Sequence, residues 1–179
     1  MEIFSTPLEG VYVLKSKIFH DERGFFLESY KESIFKEKNI CTAWVQDNVS
    51  VSSRGVVRGL HFQRDPSAQV KFVRVLSGKA FDVAVDLRKG SKTFGKSYSL
   101  ELTCANGLAL YIPEGFAHGF QALEDKTVLS YKCSRFYDPL SESGILWDDP
   151  ELNVDWPLKS LALCSPKDMK LFSMKDFLK

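Results

Sequence analysis

The sequence is poor in the groups that most often announce chemistry. Histidine occurs three times in 179 residues, at His20, His61 and His118, with no H-x-H and no H-E-x-x-H. The four cysteines, Cys41, Cys104, Cys133 and Cys164, are scattered with no C-x-x-C. Ligand spacing for a metal is therefore missing, and only convergence from distant strands would build such a site. No G-x-G-x-x-G and no G-x-x-x-x-G-K-[ST] is present, so a phosphate would have to be met by arginine and lysine side chains. Charge of one sign is not in excess either. Lysine and arginine number 24 against 23 aspartates and glutamates, a net charge of +1, which gives no electrostatic footprint for nucleic acid. Uncharged runs are too short for a membrane-spanning helix. The opening "MEIFSTPLEG" lacks the basic and apolar regions of an export signal. The expectation is a cytoplasmic protein with reduced thiols, with neither nucleic acid nor membrane as a partner.

What is present reads as β structure. Hydrophobic residues make up 44% of the chain, with 14 phenylalanines, enough to form a core without disulfides or a metal. There is no repeat and no linker, so one domain over residues 1–179 is expected. "GVYVLKSKIF" (10–19) reads as an opening strand and "DERGFF" (21–26) as a charged turn. "ESYKESIFKEKNI" (28–40) carries Tyr30, Ile34 and Phe35 at helical spacing and predicts a helix. From residue 43 short strands dominate. "VKFVRVLSGKAFDVAVDLR" predicts two strands paired as a hairpin at Ser77-Gly78. Many short strands separated by Gly, Pro or Asn indicate a sandwich, barrel or jelly roll, and the tail adds a short helix.

Several residues are out of place in such strands. "RGLHFQ" (58–63) puts an arginine and a histidine into an apolar run. Strict alternation points Arg58 and His61 to opposite faces, unless Gly59 marks a bulge. Taken alone, His61 is best explained as a strand histidine with a satisfied hydrogen bond. Lys71 shares a register with Val73 and Val75, which suits either a snorkelling lysine at a strand end or a functional one. His118 lies between Ala117 and Gly119, which fits a turn or a ligand approach. Tyr131 fits a buried ring with its hydroxyl satisfied.

The order of segments changes that weighting. "DERGFFLESY", "VQDNVSVS", "RGLHFQ", "AQVKFVRVLSGKAFDVAVDLRKGSKTFG", "IPEGFAHGF", "YKCSRFYDP", "ESGILWDDPELNVDWP" and "SPKD" run in sequence from residue 21 to residue 168. In this the chain resembles the dTDP-4-dehydrorhamnose 3,5-epimerases. The resemblance implies an all-β, cupin-type jelly roll with a few short peripheral helices. It implies a cofactor-independent, metal-free isomerase acting on a dTDP-linked 4-keto-6-deoxy sugar, and a homodimer.

The family's reaction explains the residue types. The C4 ketone acidifies the hydrogens at C3 and C5, so a base removes one and an acid returns a proton to the opposite face. By resemblance His61 is the base, Asp168 its orienting carboxylate, Lys71 the stabiliser of the enolate oxygen and Tyr131 the acid. Arg58 and His118 line the pocket. Arg23, Glu28, Gln46, Asp47 and Asn48 match positions that bind nucleotide and diphosphate, and Glu142 and Lys167 match further substrate contacts. The chain departs from the usual family pattern at Cys164, which stands where leucine is common, and at Arg135 and Phe136, which replace an acidic residue and a tyrosine. Related enzymes invert only C3 or only C5, and a catalytically idle sugar-nucleotide-binding jelly roll or a metal-dependent oxygenase of the same fold are the other readings. The retained base and acid argue against the idle protein, and the missing H-x-H against the oxygenase.

Overall fold

Short runs rich in valine, phenylalanine and tyrosine become strands along the whole chain, which the computed structural model describes over residues 1–179. The elements are β1 (Glu2–Ser5), β2 (Tyr12–Lys15), β3 (Ile18–Asp21), β4 (Gly24–Leu27), α1 (Glu32–Glu37), β5 (Gln46–Ser52), β6 (Val57–Gln63), β7 (Lys71–Ser77), β8 (Lys79–Asp86), β9 (Ser97–Thr103), β10 (Leu108–Ile112), β11 (Phe116–Ala122), β12 (Thr127–Cys133), β13 (Glu142–Gly144) and α2 (Met174–Phe177). One sheet has the order β1-β2-β10-β7-β12-β5, a second has β13-β6-β11-β8-β9, and β3–β4 forms a separate hairpin. All named pairs within them are antiparallel. This is the expected cupin-type jelly roll. No helix is long and apolar enough to cross a membrane.

Period-two alternation sorts side chains between the sheets. Val73, Val75, Leu110, Ile112 and Leu129 from the six-stranded sheet meet Ala80, Ala84, Phe116 and Phe120 from the five-stranded one. Burying each large apolar side chain there contributes about 1.5–3 kcal/mol relative to exposure. The outer face of the five-stranded sheet is covered by the C-terminal segment, through Ile145, Trp156 and Met174 packed on Val57, Leu60, Val83 and Val85. Phe35 of α1 covers Leu14, Phe72 and Tyr111 at one end of the other sheet.

Three local expectations are corrected. The opening strand is split into β2 and β3, and β1 precedes them. The helix spans Glu32–Glu37 rather than 28–40. Asn39 in the left-handed region (φ 57°) ends it, with the Asn39 and Ile40 N–H groups donating to the Lys36 and Phe35 carbonyls. Finally, β7 and β8 do not pair as a hairpin. Gly78 (φ 75°) carries the chain from one sheet to the other, and β7 pairs with β10 and β12 while β8 pairs with β11 and β9. A tight Ser-Gly turn fixes a reversal of direction but not the sheet that receives the next strand.

Strand β6 carries the irregularity on which the pocket depends. His118 pairs with His61 but Phe120 pairs with Arg58, so three steps along β6 match two along β11. One extra residue is therefore accommodated at Gly59-Leu60, a β-bulge that reverses the alternation. Arg58 and His61 then open onto the same cleft. Gly59 has φ 128°, and a Cβ there would stand 2.5 Å from the Gly119 Cα. We expect Gly59→Ala to destabilise the fold by about 2–4 kcal/mol through strain and overlap. Urea unfolding measures this, and a loss below about 0.5 kcal/mol, the scale of an ordinary surface change, would contradict the close approach.

Candidate active site

The inner face of the six-stranded sheet changes from apolar to polar along its length. Register places Val75, Leu129 and Ser50 in one row across β7, β12 and β5, then Val73, Tyr131 and Asn48, then Lys71, Cys133 and Gln46. Val75, Leu129 and Val73 belong to the core, while Ser50, Asn48, Tyr131, Lys71 and Gln46 form a polar wall. Opposite stands the five-stranded sheet, where β6 supplies Arg58 and His61 and β11 supplies His118. A cleft of about 600 Å³ lies between, lined by Asn48, Arg58, His61, Lys71, His118, Tyr131, Cys164 and Asp168 among others. An adjoining cavity of about 270 Å³ shares Asn48, His61, Lys71 and Tyr131 and adds Gln46, Tyr137 and Glu142.

His61 is held by Asp168. Its Nε2 lies 2.8 Å from Asp168 Oδ1. With the Nε2 proton donated to that carboxylate, Nδ1 is left as the basic nitrogen. Asp168 Oδ2 accepts the Gly59 N–H at 3.2 Å, and the Asp168 N–H donates to Ser165 Oγ at 3.0 Å. The bulge and the SPKD turn thus fix the carboxylate together. Burial pushes the Asp168 carboxyl up, but its bonds to His61 and Gly59 outweigh this and hold it below the ordinary carboxylate value.

The other groups take distinct electrostatic roles. Burial pulls the Lys71 ammonium below the usual lysine range, against the raising effect of nearby Cys133, Asp82 and Glu142. Its Nζ lies 3.5 Å from the His61 carbonyl oxygen. Burial raises the Tyr131 phenol, with Arg58 partly offsetting it, so the hydroxyl stays a donor at neutral pH. Arg58 Nε donates to Ser52 Oγ at 3.1 Å and Nη2 to the Val51 carbonyl at 3.3 Å. Glu142 is bonded to Lys167 and accepts the Tyr137 hydroxyl at 2.6 Å.

The predicted residues divide by location. His61, Lys71, Tyr131, Asp168, Arg58, His118, Gln46, Asn48 and Glu142 line the two adjoining cavities, and Lys167 reaches their rim through Glu142. Three do not join them. Asp47 alternates to the outer face of β5 and pairs there with Lys132 at 3.0 Å. Arg23 sits at the exposed turn of the β3–β4 hairpin and pairs with Asp21. Glu28 follows the same hairpin, exposed, 3.9 Å from Lys31. Sequence reasoning missed Asp82, which is fully buried and holds His118 Nε2 at 3.0 and 3.1 Å. The first aspartate of "AFDVAVD" was the available signal, at an inward register between Ala80 and Ala84. A cavity of similar size, about 630 Å³, lies elsewhere, beside Phe62, Phe172 and Phe177. It contains no histidine, tyrosine or cysteine, and none of the predicted site residues lines it. No cluster of potential metal ligands is present.

Fold and cleft together define a jelly-roll protein of the cupin type with a histidine–carboxylate pair facing a tyrosine and a lysine. The sequence model described as dTDP-4-dehydrorhamnose 3,5-epimerase matches residues 5–176, and the chain belongs to that family. It is 48% identical over 165 residues to the dTDP-4-dehydrorhamnose 3,5-epimerase of Methanothermobacter thermautotrophicus, covering 91% of this chain and 89% of that one. The Escherichia coli enzyme of the same name is 44% identical over 180 residues, covering 100% and 97%. A crystal structure of the 3,5-epimerase from Legionella pneumophila in complex with dTDP-4-keto-L-rhamnose superposes with a TM-score of 0.93 at 43% identity, covering 97% of this chain and 93% of that one.

The Asp168 geometry has a pH consequence. A carboxyl whose folded-state pKa is depressed contributes stability that is complete above the unfolded value and lost as pH falls through the folded one. The Asp168 contribution is therefore present at neutral pH and is lost progressively as pH falls from about 3.8, its ordinary value, through the lower folded-state value. Asp168→Asn should be less stable than the parent by about 1–3 kcal/mol near neutrality, with the gap closing in acid. Urea unfolding across that range checks this, and a gap of constant size would contradict it.

Proposed function

We propose that the chain epimerises a dTDP-linked 4-keto-6-deoxy sugar at C3 and C5, converting dTDP-4-dehydro-6-deoxy-D-glucose to dTDP-4-dehydro-L-rhamnose. One observation carries this reading beyond family membership: the base and the acid stand on opposite sheets. His61 comes from the five-stranded wall and Tyr131 from the six-stranded wall, with the cleft between. A sugar ring lying there presents one face to each, and inversion requires proton removal from one face and return to the other.

In this reading His61 Nδ1 takes the proton next to the ketone, and Asp168 stabilises the imidazolium that forms. Imidazole as a class, with a reference pKa of about 6.5 in model peptides, is weaker than required against a carbon acid by on the order of a dozen pK units, each worth about 1.4 kcal/mol. Lys71 supplies much of the difference by placing a positive charge at the developing C4 oxyanion in a half-buried site. Tyr131 returns a proton from the far side, and repetition at the second carbon completes the reaction. His118, oriented by Asp82, closes the floor. Gln46, Asn48, Arg58, Glu142 and Lys167 hold the sugar nucleotide. No metal or organic cofactor has a step in this scheme.

The working unit in this proposal is a cytoplasmic homodimer in which Arg23 and Glu28 reach the neighbour's nucleotide site. Two features support the pairing. Val49, Val51 and Leu76 are more than half exposed on the outer face of the six-stranded sheet, as is Phe26 on the hairpin. On the same face Arg74 is 8% exposed with no partner for Nε or Nη2, and burial pulls its pKa down to about 10. Such a surface suits coverage by a second copy. Light scattering should give twice the chain mass, and a monomer at micromolar concentration contradicts the dimer.

Catalysis is tested by solvent deuterium incorporation, read by proton NMR on the dTDP 4-keto sugar. Label is expected at both C3 and C5. Incorporation at one carbon identifies a single-centre epimerase, and none at either removes the proposal. His61→Asn should slow exchange by about 10²–10⁴-fold while sparing nucleotide binding. Unchanged exchange refutes the base assignment.

A further inference from the structure

The carboxylates around the cleft are all committed. Asp168 is paired with His61, Asp82 with His118 and Glu142 with Lys167. Lys71 has no such partner and reaches only a backbone carbonyl. Of its two cross-strand neighbours, the polar one is Cys133. Lys71 of β7 lies across from Ile112 of β10 on one side and Cys133 of β12 on the other, and Gln46 of β5 is the next partner beyond Cys133. Directly opposed side chains in an antiparallel pair lie about 4.5–5.5 Å apart at Cβ. Cys133 is 1% exposed, and the Asn48 side-chain amide donates to its Sγ at 3.6 Å. The thiol therefore sits between the lysine and two of the polar residues assigned to substrate.

We propose that Cys133 is a positioning residue for Lys71: a neutral side chain filling the place from which a carboxylate would neutralise the ammonium. The lysine's charge is then left for the C4 oxyanion. This rests on the reading of Lys71 as the enolate-stabilising group. The state of the thiol agrees with it. Burial raises the Cys133 pKa, only partly offset by Lys71 and Asn48, so the sulfur stays protonated at neutral pH. A thiol also fills the row without competing for the ammonium as an acceptor, because sulfur accepts weakly.

The test compares Cys133→Asp with Cys133→Asn, side chains of equal size that differ in charge, so that steric effects cancel in their ratio. The groups facing Lys71 are Cys133 of β12, Asp82 of β8, Glu142 of β13 and His61 of β6, with Arg58, His118, Tyr131 and Asp168 in the same cleft. Only residue 133 differs between the two variants. Relative to C133N, C133D should lose about 100-fold in kcat, as on removal of an oxyanion donor, with KM little changed. The alkaline limb of its kcat profile should move to higher pH, because a carboxylate neighbour keeps Lys71 protonated longer. Equal kcat and equal alkaline limbs in the two variants overturn the proposal. Lys71→Met separates the two ideas: if it exchanges at the parental rate, the lysine reading itself fails, whatever the Cys133 variants do. Where C133D does not fold, the parent enzyme carries the test. Mild cyanate carbamylation read by peptide mass spectrometry should modify Lys71 ahead of Lys36 and Lys132, which pair with Glu32 and Asp47. Lys71 reacting no faster than those two would also overturn it.

Discussion

Strand β6 passes β11 at a separation that only glycines allow. A Cβ on Gly59 would overlap the Gly119 Cα, and one on Gly119 would stand 2.7 Å from the Arg58 carbonyl oxygen. This contact holds the bulge in place, and three features of the cleft follow from it. The extra residue brings Arg58 and His61 to one face. The Gly59 N–H, freed from regular pairing, becomes a donor to Asp168. Leu60, turned to the opposite side, anchors the C-terminal cover through its exchange of hydrogen bonds with Ile145. A regular strand would turn either Arg58 or His61 under the C-terminal cover, and would leave Asp168 without its second anchor.

Charge is distributed with equal economy. Each carboxylate near the cleft orients a histidine or ties down a rim lysine. The two cations that remain, Arg58 and Lys71, hold only neutral oxygens. A cleft built this way favours an anionic guest and an anionic transition state, because nothing inside it has to be displaced from those cations first. His61 and Tyr131 then face each other from opposed walls, which is the separation the proposed inversion needs.

Much of this was legible in the sequence, and the exceptions have physical causes. Strand positions followed from alternation, and His61, Lys71, Tyr131 and Asp168 were marked by family resemblance rather than by spacing. The conflict between Arg58 and His61 was visible as a parity problem in "RGLHFQ", and Gly59 was the residue able to resolve it. The divergence of β7 and β8 was not visible, since a turn signal describes four residues and sheet membership is decided by distant partners. Asp82 went unnoticed because an inward carboxylate is identified only by the histidine that faces it, 36 residues later in the chain. Asp47 shows the reverse case: motif matching placed it with Gln46 and Asn48, although simple alternation already turned it to the other face.

The exchange of strands between sheets at Gly78 also governs how the molecule comes into being. Neighbours in the chain do not build either wall. The pocket wall takes β5, β7 and β12, and the facing wall takes β6, β11 and β13, so every row spans many tens of residues. Closing such long loops before their contacts form makes folding slow relative to helical proteins of this size. During synthesis, His61 emerges more than a hundred residues before the carboxylate that orients it. A nascent or clipped chain ending before residue 168 can carry strands and hydrophobic surface but no His61–Asp168 pair. The His61–Asp168 pair is thus a late acquisition, present only in molecules whose C-terminal segment has returned to β6.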